Sequence, residues 1–196
     1  MKKIIISTLL ISGILGGSMS QAYAAETSQD TTGNVGFKTP TTGGLTMTNT
    51  NALNLNFGSN EISANDQVYK NTEDTKATVQ DIRGTATGWT LTVAQAAQFK
   101  VEKSGETLDG AQITIETPTL DGTSTAKAEV GKNLVLSTNG ATQQVMGAKA
   151  GEGNGTAIAD LNKGSVALSV PGKTVKVAKD YTTTLTWALS DTPANN

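Results

Sequence analysis

The two tryptophans of the sequence, Trp89 and Trp187, occur in the same W-x-L triplet. Each lies two residues before a leucine, Leu91 in the first triplet and Leu189 in the second. A flat indole face beside a few polar groups commonly forms a platform for a sugar ring, so these four residues are the first candidates for binding chemistry. The same side chains could instead form core, because burying one indole removes ~150–250 Å² from water.

Strand periodicity favours the core interpretation. Residues two apart in a strand point to the same face, so the first tryptophan shares a face with Leu91 and Val93. The second tryptophan shares its face with Leu185 and Leu189. Because these neighbours are apolar, we expect buried or half-buried indoles, with the platform as the alternative. The ligand contact would then lie on neighbouring loops or on the threonine face of the same strands.

Arg83 is a further candidate for ligand contact. It follows Asp81 in the stretch "DIRG", and a strand would place both side chains on one face. The favoured interpretation is a surface ion pair, worth less than ~1 kcal/mol. The alternative is an arginine whose planar fork binds a carboxylate of the ligand in a bidentate manner.

Missing residue types exclude several kinds of catalysis. The sequence has no histidine and no cysteine, which removes the commonest general base, the commonest zinc ligand, thiol nucleophiles and disulfides. Paired carboxylates could indicate a glycoside hydrolase, but only Asp81 and Asp191 lie near aromatic segments. We therefore predict a protein that is not an enzyme, with no catalytic residue, no cofactor and no metal site.

The N-terminus has the three parts of a secretory signal peptide, with a basic start, an apolar centre and a small-x-small site. These parts predict a signal peptide over residues 1–24 and a mature domain over residues 25–196, with an uncleaved anchor as the alternative. The mature chain has no apolar segment near the ~20 residues that span a bilayer and no covalent sorting signal. A formal net charge of −2 without a basic face argues against nucleic acid as a partner. We expect a secreted protein, either released or held non-covalently.

Short runs of alternating residues, separated by turn residues, predict an all-β single domain. We expect a sandwich or a barrel-like fold of about ten strands, possibly immunoglobulin-like, with a tyrosine corner at Tyr181. At most one short helical turn is expected, at 93–99, and a mobile glycine-rich loop at 147–155. The predicted strands are 34–38, 44–48, 53–57, 77–82, 89–93, 99–103, 111–116, 133–137, 165–170 and 183–189.

Longer stretches around the two triplets resemble a known family. "DIRGTATGWTLTV" (81–93), "AQF" (97–99) and "YTTTLTWALSDTP" (181–193) resemble the distal and proximal motifs of the WxL domain of surface proteins from low-GC Gram-positive bacteria. "TGNVGF" (32–37) and residues 53–69 are similar to that domain's opening strands. The resemblance covers nearly the whole mature chain.

The resemblance implies non-covalent attachment to the cell wall, with peptidoglycan as ligand and the two W-x-L motifs as cell-wall-binding residues. It also implies a place at the cell surface beside other WxL proteins and a membrane-anchored WxL-interacting protein. The sequence departs from the family in a short linker at 38–44 and in Ala188, where a bulkier residue is expected. An adhesin for a host or matrix protein and a wall-active hydrolase stay open as alternatives.

Overall fold

The computed structural model describes residues 32–50 and 53–194. The chain divides into two compact units, Met1–Gly36 and Phe37–Asn196. The described part of the first unit is exposed and has no regular secondary structure. The predicted signal peptide over residues 1–24 lies outside the described residues and stays a prediction. Within the described residues, no helix has the length and apolarity to span a membrane.

The described residues form twelve β-strands and no α-helix. This confirms the predicted all-β fold. The strands are β1 (Leu45–Thr48), β2 (Gln67–Lys70), β3 (Thr75–Asp81), β4 (Trp89–Gln95), β5 (Gln112–Ile115), β6 (Thr119–Leu120), β7 (Glu129–Val130), β8 (Leu134–Val135), β9 (Thr142–Ala148), β10 (Gly155–Leu161), β11 (Val166–Val170) and β12 (Leu185–Ser190).

The strands make three antiparallel sheets of four strands each, with the orders β1-β3-β10-β6, β2-β11-β5-β8 and β12-β4-β9-β7. The arrangement is sandwich-like, and none of the described sheets closes into a barrel. Strands that follow each other in the chain often belong to different sheets. In particular, β9, β10 and β11 lie in three different sheets, so most pairings are long-range.

The core is formed by the inward faces of the central strands. Ala77 and Val79 of β3 lie opposite Ala159 and Ala157 of β10, and all four side chains are fully buried. Small residues at these positions let the other layers pack closely against this sheet, because interiors are filled to crystal-like density. Ile113 of β5 belongs to the same continuous apolar cluster.

No helical turn forms at 93–99. β4 continues through Gln95, whose side chain is fully buried. Its amide donates to the carbonyl of Ala97 at 3.0 Å and approaches the Thr183 hydroxyl at 3.4 Å. The weak strand propensity of alanine and glutamine is overridden by pairing with β12 on one side and β9 on the other.

Three predicted strands are also wrong. Residues 34–38 and 53–57 are not in strands, and 99–103 contains only an isolated bridge at Lys100. The segment 53–57 alternates like a strand, but a hydrogen bond from Thr72 N to Asn56 O anchors it outside any sheet ladder. The prediction missed five strands, which are β2, β6, β7, β9 and β10.

Asn71 joins three chain segments near the end of β2. Its side chain is 2% exposed, and its amide donates to the carbonyls of Glu73 at 2.8 Å and Asn162 at 3.1 Å. Its oxygen accepts from the backbone amides of Gly164 and Val166, both at 2.9 Å. One buried side chain thus satisfies four backbone groups of two separate turns.

We expect Asn71→Ala to lower the free energy of unfolding by about 2–4 kcal/mol, because it leaves buried backbone donors and acceptors unpaired. The exposed Asn34→Ala is the control and should change it by less than about 0.5 kcal/mol. Urea unfolding of both variants measures the difference. Equal stabilities would contradict this role of Asn71.

Candidate functional site

The two W-x-L triplets lie side by side. β12 pairs antiparallel with β4, and the register places Leu189 opposite Leu91 and Trp187 opposite Val93. Residues that face each other across an antiparallel pair point to the same side of the sheet. Both triplets therefore point inward, and because the strands run in opposite directions the two indoles lie at opposite ends of the leucine pair.

Trp89 is a core residue. It is fully buried, and its indole N–H donates to the carbonyl of Gly153 at 3.2 Å. Gly153 has φ +94°, and a Cβ at this position would lie 2.6 Å from the indole nitrogen. Only glycine fits there without displacing the ring. Trp89 consequently presents no face to a ligand.

Trp187 has a different environment. It is half-buried and packs against the edge of the core. Its indole nitrogen is buried and has no hydrogen-bond partner within the described residues. The ring borders a small cavity of about 270 Å³, here called the inner pocket, with Asn54 and Thr183 among its polar neighbours. An unpaired N–H of this kind is uncommon in folded proteins.

A larger cavity of about 900 Å³, here called the aromatic cleft, shares residues with the inner pocket. Phe57, Phe99 and Tyr181 line both cavities, and Tyr69 lines the aromatic cleft. The rings of Phe57 and Phe99 meet edge to face, with centroids 6.3 Å apart and an interplanar angle of 75°. Four of the chain's aromatic side chains are thus gathered at one concave surface.

Hydrogen bonds hold one wall of the aromatic cleft, residues 176–181. The Tyr181 hydroxyl accepts from the backbone amide of Val177 at 2.9 Å, which is the bond of a tyrosine corner. The ammonium group of Lys176 donates to four backbone carbonyls at 2.9–3.3 Å. The carbonyls belong to Ser63, Pro171, Gly172 and Thr174. This wall is therefore pre-organised although it contains no regular strand.

Arg83 lies at the turn that leads into the first triplet. Its guanidinium binds both carboxylate oxygens of Asp81, at 3.0 and 2.8 Å, and donates to the carbonyl of Gly88 at 2.8 Å. Burial alone would raise the pKa of Asp81, but the hydrogen bonds and charge of Arg83 outweigh it, and the pKa lies below its ordinary value. Asp81 is fully buried, so this is not the exposed surface pair favoured above. The ligand role of Arg83 stays a prediction.

The threonine face of the paired strands points outward. Thr186, Ala188 and Ser190 are exposed, and Thr90 and Thr92 of β4 are half-buried. The Thr90 hydroxyl donates to the carbonyl of Thr192 at 2.9 Å. The Thr92 hydroxyl approaches the Ala188 carbonyl at 3.3 Å. The side chains of this face are small and uncharged.

A family model described as "WxL domain surface cell wall-binding" matches residues 24–193. The chain belongs to the WxL domain family. The match covers nearly the full length of the 196-residue chain. No curated protein and no solved structure matches the chain. The family supports a role in attachment to the cell wall.

Sequence reasoning found the WxL motifs but not the aromatic cleft. Tyr181 lies more than a hundred positions after Phe57 and Tyr69, and no single window shows that the three converge. Two signals were available, namely the resemblance of residues 53–69 to the family and the tyrosine-corner pattern. Within the described residues no group of acidic side chains has the arrangement of a metal site.

The two tryptophans should respond differently to the same substitution. Trp89→Phe removes a buried hydrogen bond and leaves a void, so we expect a loss of about 2–4 kcal/mol in the free energy of unfolding. Trp187→Phe removes a buried N–H that has no partner, so the loss should stay below about 1 kcal/mol. Denaturant unfolding monitored by circular dichroism measures both. Equal losses would contradict the asymmetry.

The ion pair of Asp81 and Arg83 should make stability depend on pH. The pKa of Asp81 is lower in the folded chain than in the unfolded chain. Ionised Asp81 therefore stabilises the fold at pH values above its unfolded pKa, and this stabilisation is lost as the pH falls through its folded pKa. Asp81→Asn should lower the free energy of unfolding by about 1–3 kcal/mol at pH 7. The difference in free energy of unfolding between the variant and the parent chain should become smaller below about pH 4. Urea titrations at pH 7, 4 and 3 test this, with the exposed Glu73→Gln as control. A stability difference that does not change with pH would contradict the role of the ion pair between Asp81 and Arg83.

Proposed function

We propose that this WxL protein is exported and attaches non-covalently to peptidoglycan at the outer surface of the cell, through the aromatic cleft. The observation that carries the proposal is a concave surface of about 900 Å³ lined by Phe57, Tyr69, Phe99 and Tyr181. Ligand sites usually have volumes of about 300–1,000 Å³, with apolar and aromatic walls and a few polar groups. The family description as cell wall-binding agrees with this use of the cleft.

The WxL motifs support the cleft in this proposal. Pairing of β4 with β12 fixes the strand from which Trp187 reaches the inner pocket, and Tyr181 lies four residues before that strand begins. Trp89 and Leu91 are fully buried and act through stability. Trp187 is the one tryptophan placed to contact a ligand that extends from the cleft into the inner pocket.

Assembly with other surface proteins, including other WxL proteins and a membrane-anchored partner, is a second part of the proposal. The observation that favours it is exposed apolar surface away from the cleft. Val35 is 80% exposed, Phe37 is 92% exposed and Val175 is 82% exposed. Contiguous apolar patches mark surfaces that bind another protein, and a ring as exposed as that of Phe37 would contribute to such a patch. The role proposed here is binding without catalysis.

Co-sedimentation with peptidoglycan sacculi stripped of protein and lipid tests the proposal. Phe57→Ala removes an aromatic wall of the cleft, and we expect about tenfold weaker binding, because one ring–ligand contact is worth ~1–2 kcal/mol. Phe37→Ala is the matched control, since the same ring is removed from an exposed position outside the cleft. This control should bind sacculi as the parent chain does.

Other outcomes favour the alternatives. A parent chain that stays in the supernatant while a membrane-anchored partner captures it would contradict direct wall binding. Binding to host or matrix proteins in place of sacculi would support the adhesin. Release of reducing sugar from the sacculi would support the hydrolase. Melting curves of both phenylalanine variants separate lost binding from lost folding.

A further inference from the structure

The charged groups of the aromatic cleft are of both signs, but they are not equally available. Glu61 and Asp180 are exposed residues that line it, and in the described structure neither carboxylate has a hydrogen-bond or ion-pair partner. They come from two different segments of the lining, residues 55–62 and 176–181. Each segment therefore offers a ligand one carboxylate that has no partner.

The basic residues of the cleft are already engaged. The ammonium group of Lys176 is surrounded by four backbone carbonyls. The ammonium group of Lys179 donates to the Ser104 hydroxyl at 2.9 Å and lies 3.6 Å from a carboxylate oxygen of Glu106. Recruiting either lysine for a ligand would break these bonds. Both lysines keep their positive charge, but their N–H donors are already used, so the two free carboxylates are the charged groups of the cleft that are available for new hydrogen bonds.

Aromatic rings lie in the same cleft as this negative charge. Phe57, Tyr69 and Tyr181 line it together with Glu61 and Asp180. Aromatic faces attract cations and pack against aliphatic chains, and free carboxylates form charge-assisted hydrogen bonds with ammonium groups. A phosphate or a free carboxylate would find no free cationic donor in the cleft and would lie beside carboxylates of like charge.

We propose that the cleft recognises a primary ammonium group carried on an aliphatic chain, as found on the uncrosslinked peptide stems of peptidoglycan. The aliphatic part packs on the aromatic rings, and the ammonium group is bound between Glu61 and Asp180. This inference rests on the proposed wall attachment and specifies which chemical group of the wall is bound. The D-alanyl esters of teichoic acids carry the same ammonium group and are a second source of it.

Chemically modified sacculi separate these possibilities. The parent chain is mixed with native sacculi, with sacculi stripped of teichoic acid, and with stripped sacculi whose amines are acetylated. We expect equal binding to the first two, and at least about tenfold weaker binding to the third, because acetylation removes the charge. Loss of binding on stripping alone would assign the ammonium group to teichoic acid and overturn the peptide source.

Charge variants test the two carboxylates. The double variant Glu61→Gln/Asp180→Asn should bind stripped sacculi at least about tenfold more weakly and lose most of the preference for unacetylated material. Glu102→Gln is the matched control, an exposed carboxylate outside the cleft, and should behave as the parent chain. Raising the salt concentration should weaken the parent's binding and affect the double variant less.

The outcomes distinguish the two proposals. Equal binding to acetylated and unacetylated sacculi would overturn the ammonium inference and leave wall attachment standing. Failure to bind any sacculi would overturn both. A double variant that melts like the parent chain and keeps its full preference for unacetylated sacculi would show that Glu61 and Asp180 are not the recognition groups.

Discussion

The pairing of β4 with β12 is the interaction on which the rest of this structure depends. It joins two strands about a hundred residues apart and places Leu91 against Leu189 with an indole on either side. Such a contact is entropically costly to close, and burial of the large apolar side chains offsets that cost. A chain without cysteine has no disulfide that could offset the same cost. The first role of the W-x-L motif is thus to hold the two distant strands together.

Closure of the fold also produces a concave surface. At one end of the strand pair Trp89 is buried and its N–H is satisfied by Gly153. At the other end Trp187 is half-buried, has a buried N–H without a partner in the described chain, and borders the inner pocket. The two copies of the motif therefore place one tryptophan in the core and the other at the boundary between core and cleft. In the proposed function, attachment to the wall and stability of the domain are coupled through that boundary.

Much of the fold could be predicted from the sequence, because strand alternation is a local property. It predicted the all-β class and the shared face of Trp89 and Leu91. Helix propensity did not describe Gln95, because its strand is paired on both sides. Alternation did not describe residues 53–57, which alternate but belong to no sheet. Strand order and the aromatic cleft could not be predicted, because both depend on contacts between distant segments. No local pattern shows that Phe57 and Tyr181 will line the same cleft.

The most direct test of this account follows the two indole N–H signals of ¹⁵N-labelled protein by NMR as soluble peptidoglycan fragments are added. With only two tryptophans in the chain, each signal is assigned by one substitution. The account predicts that the Trp187 signal shifts on binding, while the Trp89 signal stays in place and exchanges slowly with solvent. A shift of the Trp89 signal with no change at Trp187, or fragments that bind without moving either signal, would contradict it.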